Sequence, residues 1–144
     1  MAAVDGSASS LKAVDLAADL AGKYGAELIL FNVAREVSTD IDDGLESYAR
    51  IEHIGTLAGD VGLVAAESVL AEARLTARKK GASRISTKSG FGDPAEEIIA
   101  LAKDQQADLI VLGSRGHGRI AGLLLGSVAQ KTLGHASCPV LVVR

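Results

Sequence analysis

The chain has 144 residues, a length typical of one domain that can bury a sizeable core. Hydrophobic residues make up 48% of the sequence and aromatic residues only 3%, so that core should consist mainly of Val, Ile, Leu and Ala. The net charge of -3 argues against a basic face for nucleic acid, and no apolar run approaches the roughly 20 residues of a membrane span.

The first apolar run predicts a strand, and the segment after it predicts a helix. Residues 1–4 are apolar and stop at the turn sequence Asp5-Gly6-Ser7. Serines at this turn offer N-caps for a helix that reaches about Tyr24 and is closed by Gly25. One face of the helix is expected to be buried, along a stripe with spacings of three and four residues: Ala13, Ala17, Leu20 and Tyr24.

Two more strands and a long helix are predicted up to residue 89. Residues 27–33 indicate a second buried strand, whereas the acidic segment 35–56 favours a solvated connection without regular structure. A helix then runs to Lys80 and is ended by Gly81, and residues 84–89 have the mixed polarity of an edge strand. The buried stripe of the long helix is expected to comprise Leu63, Ala66, Leu70, Ala73 and Ala77.

The remaining chain continues the alternation of strands and helices. Asp93 and Pro94 have the N-cap and first-position pattern of a helix start, and Glu96 stands three residues after the cap. The buried stripe of this helix is expected to be Ala95, Ile98 and Ala102. A buried parallel strand is predicted over residues 107–112, a helix over 127–135 and a last strand over 138–143. This alternation predicts a single α/β domain, an open parallel sheet with helices on both faces.

Glycines fill the connection between the strand at 107–112 and the helix at 127. The loop begins Gly113-Ser114-Arg115-Gly116-His117-Gly118, and nine residues separate Gly116 from Gly126-Ser127. Glycine lets the backbone approach an anion closely, and the unpaired N–H groups at a helix start point towards it. The loop therefore predicts a phosphate cradle in a nucleotide-binding module, with ATP as the first candidate ligand.

These motifs resemble the universal stress protein family. The resemblance rests on Ala3-Val4-Asp5-Gly6-Ser7, on the Gly-x2-Gly-x9-Gly-Ser spacing, on Gly92-Asp93-Pro94 and on the closing Cys138-Pro139-Val140-Leu141-Val142-Val143. It covers essentially the whole chain, apart from a short first strand and the acidic segment 35–56. The resemblance implies a Rossmann-like five-stranded sheet of order 3-2-1-4-5 and membership of the ATP-binding subgroup.

In that strand order the first and fourth strands are neighbours, and ligands occupy the crevice where their connections diverge. The resemblance implies that Asp5, with the backbone of Ala3 and Val4, holds the ribose or base, and that Val33 packs near the adenine. Arg115 and Arg119 could neutralise phosphate charge. The other nucleotide-binding residues expected at the crevice are Leu112, Gly113, Gly116, Gly126, Ser127, Val128 and Ala129.

Simpler structural roles remain open for several of these residues. Asp5 could only cap the first turn, the glycines could only permit a tight connection, and Ser127 would be an N-cap with or without a ligand. His117 is interpreted as a solvated loop histidine, and Cys138 as a small buried hydrophobe. No spacing of His, Cys or carboxylate residues predicts a metal site.

The loop lacks the Gly-Lys-Ser/Thr sequence of a P-loop, so we expect nucleotide binding with at most slow hydrolysis and no catalytic residues. AMP, ADP and ATP, with or without Mg²⁺, are all left open. The alternative is a partner-binding scaffold without nucleotide. The single cysteine fits a reducing cytoplasm, and the resemblance implies a stress-response role there.

The last predicted strand also predicts self-association. Residues 138–143 are apolar and lie at a sheet edge in the 3-2-1-4-5 order. A bare edge favours pairing with a two-fold copy, and members of the family dimerise through this strand. A homodimer is therefore expected with either function.

Overall fold

The computed structural model describes the backbone of residues 1–34, 54–117 and 124–144, and the side chains of these residues except those of 54–63. The predictions for residues 35–53 and for Arg119 lie outside this range. The strands are β1 (Ala2–Ala3), β2 (Leu28–Ala34), β3 (Ile85–Phe91), β4 (Ile110–Gly113) and β5 (Val140–Val143). The helices are α1 (Ala8–Tyr24), α2 (Ile54–Lys79), α3 (Pro94–Asp104) and α4 (Ser127–His135).

The five strands form one parallel sheet of order β3-β2-β1-β4-β5, which confirms the predicted fold class. The central β1 is short, yet it is held on both sides: Ala2 lies opposite Leu30 of β2 and opposite Val111 of β4. All seven residues of β2 pair with β3, from Leu28 opposite Ile85 onwards. The two outer strands are therefore β3 and β5, as the sequence predicted.

The helices cover both faces of the sheet and create two cores. Helices α1 and α2 pack on one face around Val14, Leu30 and Val111, and α3 and α4 pack on the other around Phe31 and Ile110. Most buried residues of α1 and α2 are alanines, whose small side chains let the helices lie close to the sheet. Within the described residues, no helix is long and apolar enough to cross a membrane.

The predicted stripe of α1 was wrong at its end. Ala13 and Ala17 are buried, but Tyr24 is 73% exposed, and the buried face continues instead through Ala18 and Ala21. Gly25, in the left-handed conformation, ends the helix as predicted, with its N–H bonded to the Ala21 carbonyl. Tyr24 is therefore the last helical residue and lies outside the core, of which Ala21 is the last member in this helix.

Several boundaries also differ from the prediction. Helix α2 begins at Ile54, inside the segment predicted to be irregular. Strand β4 begins at Ile110 and not at residue 107, because α3 ends in a turn in which Gln106 has φ 49° and the Ala107 N–H bonds back to Ala102. Strand β5 begins at Val140, so Cys138 precedes it, half-buried against the α3 and α4 core.

The start of α3 follows the predicted capping pattern with one difference. The Asp93 carboxylate accepts hydrogen bonds from the N–H groups of Ala95 and Glu96, both at 3.0 Å. The Glu96 carboxylate does not complete a reciprocal capping box but binds Lys131 of α4 at 2.8 Å, and Lys131 also contacts Asp93 at 3.2 Å. This ion pair joins the two helices on one face of the sheet.

Candidate functional site

The carboxyl ends of β1 and β4 open towards the N-termini of α1 and α4. Asp5 follows β1 directly, and Gly113 is the last residue of β4. Because the two strands are neighbours in the sheet, the turn after β1 and the glycine loop after β4 lie side by side. The structure therefore brings together the two loops that the sequence assigned to one crevice.

Gly113 allows the end of β4 to touch the first turn of α1. A side-chain carbon at Gly113 would lie 2.6 Å from the Ser9 hydroxyl and 2.7 Å from the Ser10 nitrogen. Since one of these atoms belongs to the backbone, the helix itself would have to move. The absence of a side chain at Gly113 is thus a packing requirement, as the simpler interpretation of the glycines proposed.

Gly116 lies directly against Asp5. A side-chain carbon at Gly116 would overlap Oδ2 of the Asp5 carboxylate, while Asp5 Oδ1 accepts a hydrogen bond from the Ser7 N–H at 3.0 Å. Asp5 therefore supports the first turn and also presents its second oxygen to the glycine loop. Among the described residues the left-handed glycines are Gly6, Gly25, Gly81 and Gly92, so Gly116 is needed for space and not for its backbone conformation.

Two contacts fasten the glycine loop to the turn after β1. The Arg115 carbonyl accepts from the hydroxyls of Ser7, at 3.2 Å, and of Ser9. Nε2 of His117 lies 2.7 Å from the Asp5 carbonyl oxygen, so His117 is not simply solvated. These contacts join the turn after β1 to the start of the glycine loop.

The N-terminus of α4 has no side-chain cap. Its N-cap is Gly126, not Ser127, which is instead the first helical residue. The Gly126 N–H bonds to the Ser114 carbonyl at 2.7 Å, and Ser114 in turn is tied to β5 through the Val143 carbonyl at 2.6 Å. A glycine cap leaves the first N–H groups of the helix, those of Ser127, Val128 and Ala129, without a capping acceptor from the cap residue itself.

The crevice floor contains the remaining predicted residues. Ala3, Val4 and Leu112 are buried in the sheet, and Val33 is half-buried near the end of β2, packed against the α3 and α4 core. The backbone of Val4 is bound on the β2 side: its N–H donates to Phe31, and its carbonyl accepts from the Asn32 amide at 2.7 Å. Val33 is separated from the glycine loop by β1.

Sequence reasoning missed three residues that shape the crevice. Ser7 and Ser9 were treated only as cap candidates, but their hydroxyls hold the glycine loop. Asn32 was passed over within an apolar strand, although a lone buried amide there signals a specific hydrogen bond. Among the described residues, no three His, Cys, Asp or Glu side chains are grouped to hold a metal ion.

Comparison with known proteins agrees with the family resemblance of the sequence along the whole chain. The family model described as "Universal stress protein family" matches residues 1–144. The universal stress protein YxiE of Bacillus subtilis (strain 168) is 38% identical over 149 residues, which cover 100% of this chain and 97% of that protein.

Solved structures agree with the fold. The universal stress protein UspA from Lactobacillus plantarum superposes with a TM-score of 0.80 at 25% identity, covering 99% of this chain and 94% of that chain. A universal stress protein solved in complex with cAMP superposes with a TM-score of 0.75 at 31% identity, with the same coverage of 99% and 94%.

Proposed function

The chain belongs to the universal stress protein family, and on this basis we propose that it binds an adenine nucleotide, ATP in the first place, between β1 and β4. The nucleotide would lie in the crevice at the carboxyl ends of these strands, where parallel α/β sheets bind their ligands. The protein would act as a nucleotide-dependent regulatory module in the stress response of the cytoplasm.

The observation that carries this proposal is the uncapped start of α4. The cap residue, Gly126, has no side chain to accept from Ser127, Val128 or Ala129, and none of these N–H groups bonds to an acceptor among the described residues, which favours an anion there. The positive end of the helix dipole adds to their attraction for phosphate. The Ser127 hydroxyl, not required as a cap, is a further donor, and the exposed Arg115 supplies a positive charge from the loop.

The other half of the crevice suits the sugar and base. Asp5 keeps one carboxylate oxygen outside the turn hydrogen bond, and a carboxylate at the end of the first strand is well placed to accept from a ribose hydroxyl. Val33 offers half-exposed apolar surface to the adenine. The backbone of Ala3, Val4 and Leu112 forms the floor between these two parts.

The related protein solved with cAMP supports an adenine ligand. In this chain the uncapped start of α4 and the exposed Arg115 favour a nucleotide with a phosphate chain, hence ATP before AMP. Any Mg²⁺ would arrive bound to the phosphate oxygens of the nucleotide.

A regulatory role is favoured over catalysis by the residues of the loop. Rapid phosphoryl transfer requires positioned cations on the transferred group and a residue that orients the nucleophile. The described part of the crevice contributes Arg115 and backbone donors, and His117 is engaged with the Asp5 carbonyl. Binding with slow or no hydrolysis is the behaviour we infer.

A homodimer through β5 is part of the proposal. All four residues of β5 are half-exposed at the edge of the sheet, which is the environment expected of a strand that awaits a partner. A two-fold copy would pair β5 with β5 and join the two sheets.

Titration calorimetry with AMP, ADP and ATP, with and without Mg²⁺, tests the proposed ligand. Saturable binding that tightens from AMP to ATP is expected, since each added phosphate reaches more of the loop donors. Absence of binding of all three nucleotides at millimolar concentration would favour the scaffold without nucleotide.

A further inference from the structure

Within the described residues, the backbone groups on the outer edge of β3 pair with no other strand. On its inner side β3 pairs with β2 along all seven residues, and it is the terminal strand of the described sheet. The Arg84 carbonyl accepts from the Leu28 N–H at 2.9 Å, and the direction of backbone groups alternates along a strand. The groups of Ile85, Thr87, Ser89 and Phe91 therefore point away from the sheet.

A hollow lies on each side of this edge. One, of about 430 Å³, is formed between β3 and α2 and is lined by residues that include Thr87, Leu75 and Arg74. The other, of about 470 Å³, lies between β3 and α3 and is lined by residues that include Gly90, Glu97 and Asp104. Because side chains of a strand alternate between faces, a strand added to β3 would point its side chains into the two hollows in turn.

The two hollows carry opposite charge. On the α2 side, Arg74 and Arg78 stand one helical turn apart beside Glu67, and neither arginine forms an ion pair with a described residue. The hollow on the α3 side is lined by two carboxylates, Glu97 and Asp104, and by one ammonium group, that of Lys88, so its net charge is negative. Leu75, 60% exposed, adds apolar surface to the arginine side.

We propose that the β3 edge binds an extended segment of another protein as a sixth strand. The segment carries acidic side chains towards Arg74 and Arg78 and basic side chains, at the alternate positions, towards Glu97 and Asp104. Backbone pairing supplies affinity, and the opposite charges of the two hollows select the sequence and its register. The site is separate from the nucleotide crevice, so its occupant does not depend on the proposed ligand.

A second copy of the chain is a poor occupant of this edge. If two copies paired β3 with β3 in antiparallel orientation, the two-fold axis would be normal to the joined sheet. The α2 helices of both copies would then lie on one face of this sheet and the α3 helices on the other. Arg74 and Arg78 would then approach the same arginines of the copy, and Glu97 the same glutamate, which like-charge repulsion disfavours. The charge pattern therefore points to a different protein.

The test uses a blocked, fluorescent nonapeptide of alternating Glu and Lys, titrated by anisotropy against the full chain. A matched peptide of alternating Gln and Lys is the control. We expect the Glu/Lys peptide to bind and the Gln/Lys peptide to bind at least ~tenfold more weakly, with a dependence on salt that reflects the exposed charges. No binding of the Glu/Lys peptide at millimolar concentration overturns the proposal.

Two variants separate the charges from the backbone pairing. Arg74→Glu with Arg78→Glu should weaken the Glu/Lys peptide ~tenfold or more but leave the Gln/Lys peptide nearly unchanged, because its neutral side chains face these two positions; a general loss of structure would weaken both. Ser89→Pro removes one outward N–H without breaking the ladder to β2 and should weaken binding roughly fivefold to tenfold, whereas Ser89→Ala should not. Equal affinity of the wild type and both variants contradicts the proposed site.

Discussion

Individual glycines of the loop have different physical reasons for their identity. A side chain at Gly113 would collide with the backbone of α1, and one at Gly116 would collide with the tip of the Asp5 side chain. At Gly126 a side-chain carbon would meet only atoms at 3.5 Å or beyond. The protein itself therefore tolerates a side chain at Gly126. What a side chain would change there is the access of an anion to the start of α4.

Gly126→Ser turns this difference into a prediction. Serine is a strong N-cap, so its hydroxyl should accept from the N–H groups of Val128 or Ala129 and maintain or raise the melting temperature. The same hydroxyl would then occupy N–H groups that we expect to bind the phosphates. We expect ATP affinity to fall about tenfold, because one or two hydrogen bonds to a charged group are lost. Gly134→Ser, in open space later in the same helix, is the matched control and should leave affinity unchanged.

Gly113→Ala and Gly116→Ala should separate packing from ligand contact. At Gly113 the new carbon meets backbone atoms, and the cost is expected to be about 1–3 kcal/mol of unfolding free energy. At Gly116 it meets only the carboxylate of Asp5, which can rotate away, so stability should change little while nucleotide affinity falls. Chemical denaturation and calorimetry on both variants check this; equal destabilisation of the two would contradict the distinction.

A side-chain carbon at Gly116 would meet the carboxylate of Asp5, which we propose holds the sugar. A larger residue there should therefore weaken a nucleoside as well as a nucleotide.

At the scale of elements, α3 and α4 are joined by a surface ion pair whose strength depends on pH. The N–H of Glu96 and the Lys131 ammonium lower the pKa of Asp93 from its ordinary 3.8, and the carboxylates of Glu96 and Asp93 raise the pKa of Lys131 from 10.5. A lowered carboxyl pKa contributes stability above its ordinary value, and this is lost as the pH falls through the folded pKa. The raised pKa of Lys131 contributes stability below pH 10.5, and this stability is lost as the pH rises through the folded pKa.

Asp93→Asn should expose this dependence. Asparagine retains the N-cap acceptor but not the charge, so the melting temperature should fall slightly at neutral pH, as expected for an exposed pair. The difference from the wild type should shrink as the pH drops below 3.8 and disappear once the pH is below the lowered pKa of the folded Asp93 carboxyl. Asp93→Ala, which also removes the cap, should remain less stable at every pH in thermal scans. A constant difference for the asparagine variant would contradict the role of the charge.

Most elements could be predicted from the sequence because their signals are local. The Pro94 start of α3, the Gly25 end of α1 and the span of α4 all depend on residues within one turn. The start of β4 was missed because residues 107–109, of which only Asp108 is polar, continue the apolar run of the strand, although the hydrogen bond from Ala107 to Ala102 still belongs to the end of α3. Tyr24 was misassigned because spacing alone does not reveal where the sheet beneath the helix ends.

The candidate site was predicted in its parts but not in its connections. Motif spacing located Asp5 and the glycines, whereas the bonds from Ser7 and Ser9 to Arg115 join residues more than a hundred positions apart. Such contacts depend on the strand order, which the pattern of apolar residues does not determine. The cap at Gly126 in place of Ser127 likewise follows from the bond of the Gly126 N–H to Ser114.

At the scale of the molecule, the two sheet edges have separate roles in this account. The Pro139 and Val143 carbonyls point towards β4, so the backbone groups of Val140 and Val142 point outwards. Val142→Pro should therefore remove an intersubunit donor and leave the ladder to β4 intact. Light scattering should give twice the 14.7 kDa chain mass for the wild type and the single mass for the variant. Val142→Thr keeps the N–H and should stay dimeric; a monomeric wild type at micromolar concentration would contradict the dimer.

The central claim is that the start of α4 receives the phosphates of an adenine nucleotide. The most direct measurement is a series of ¹H–¹⁵N correlation spectra of the labelled protein during titration with ATP. We expect the largest amide shifts at Ser127, Val128 and Ala129, together with Gly113 and Gly116 of the loop. Saturating shifts that leave these five amides unmoved, or no shifts at millimolar ATP, would contradict it.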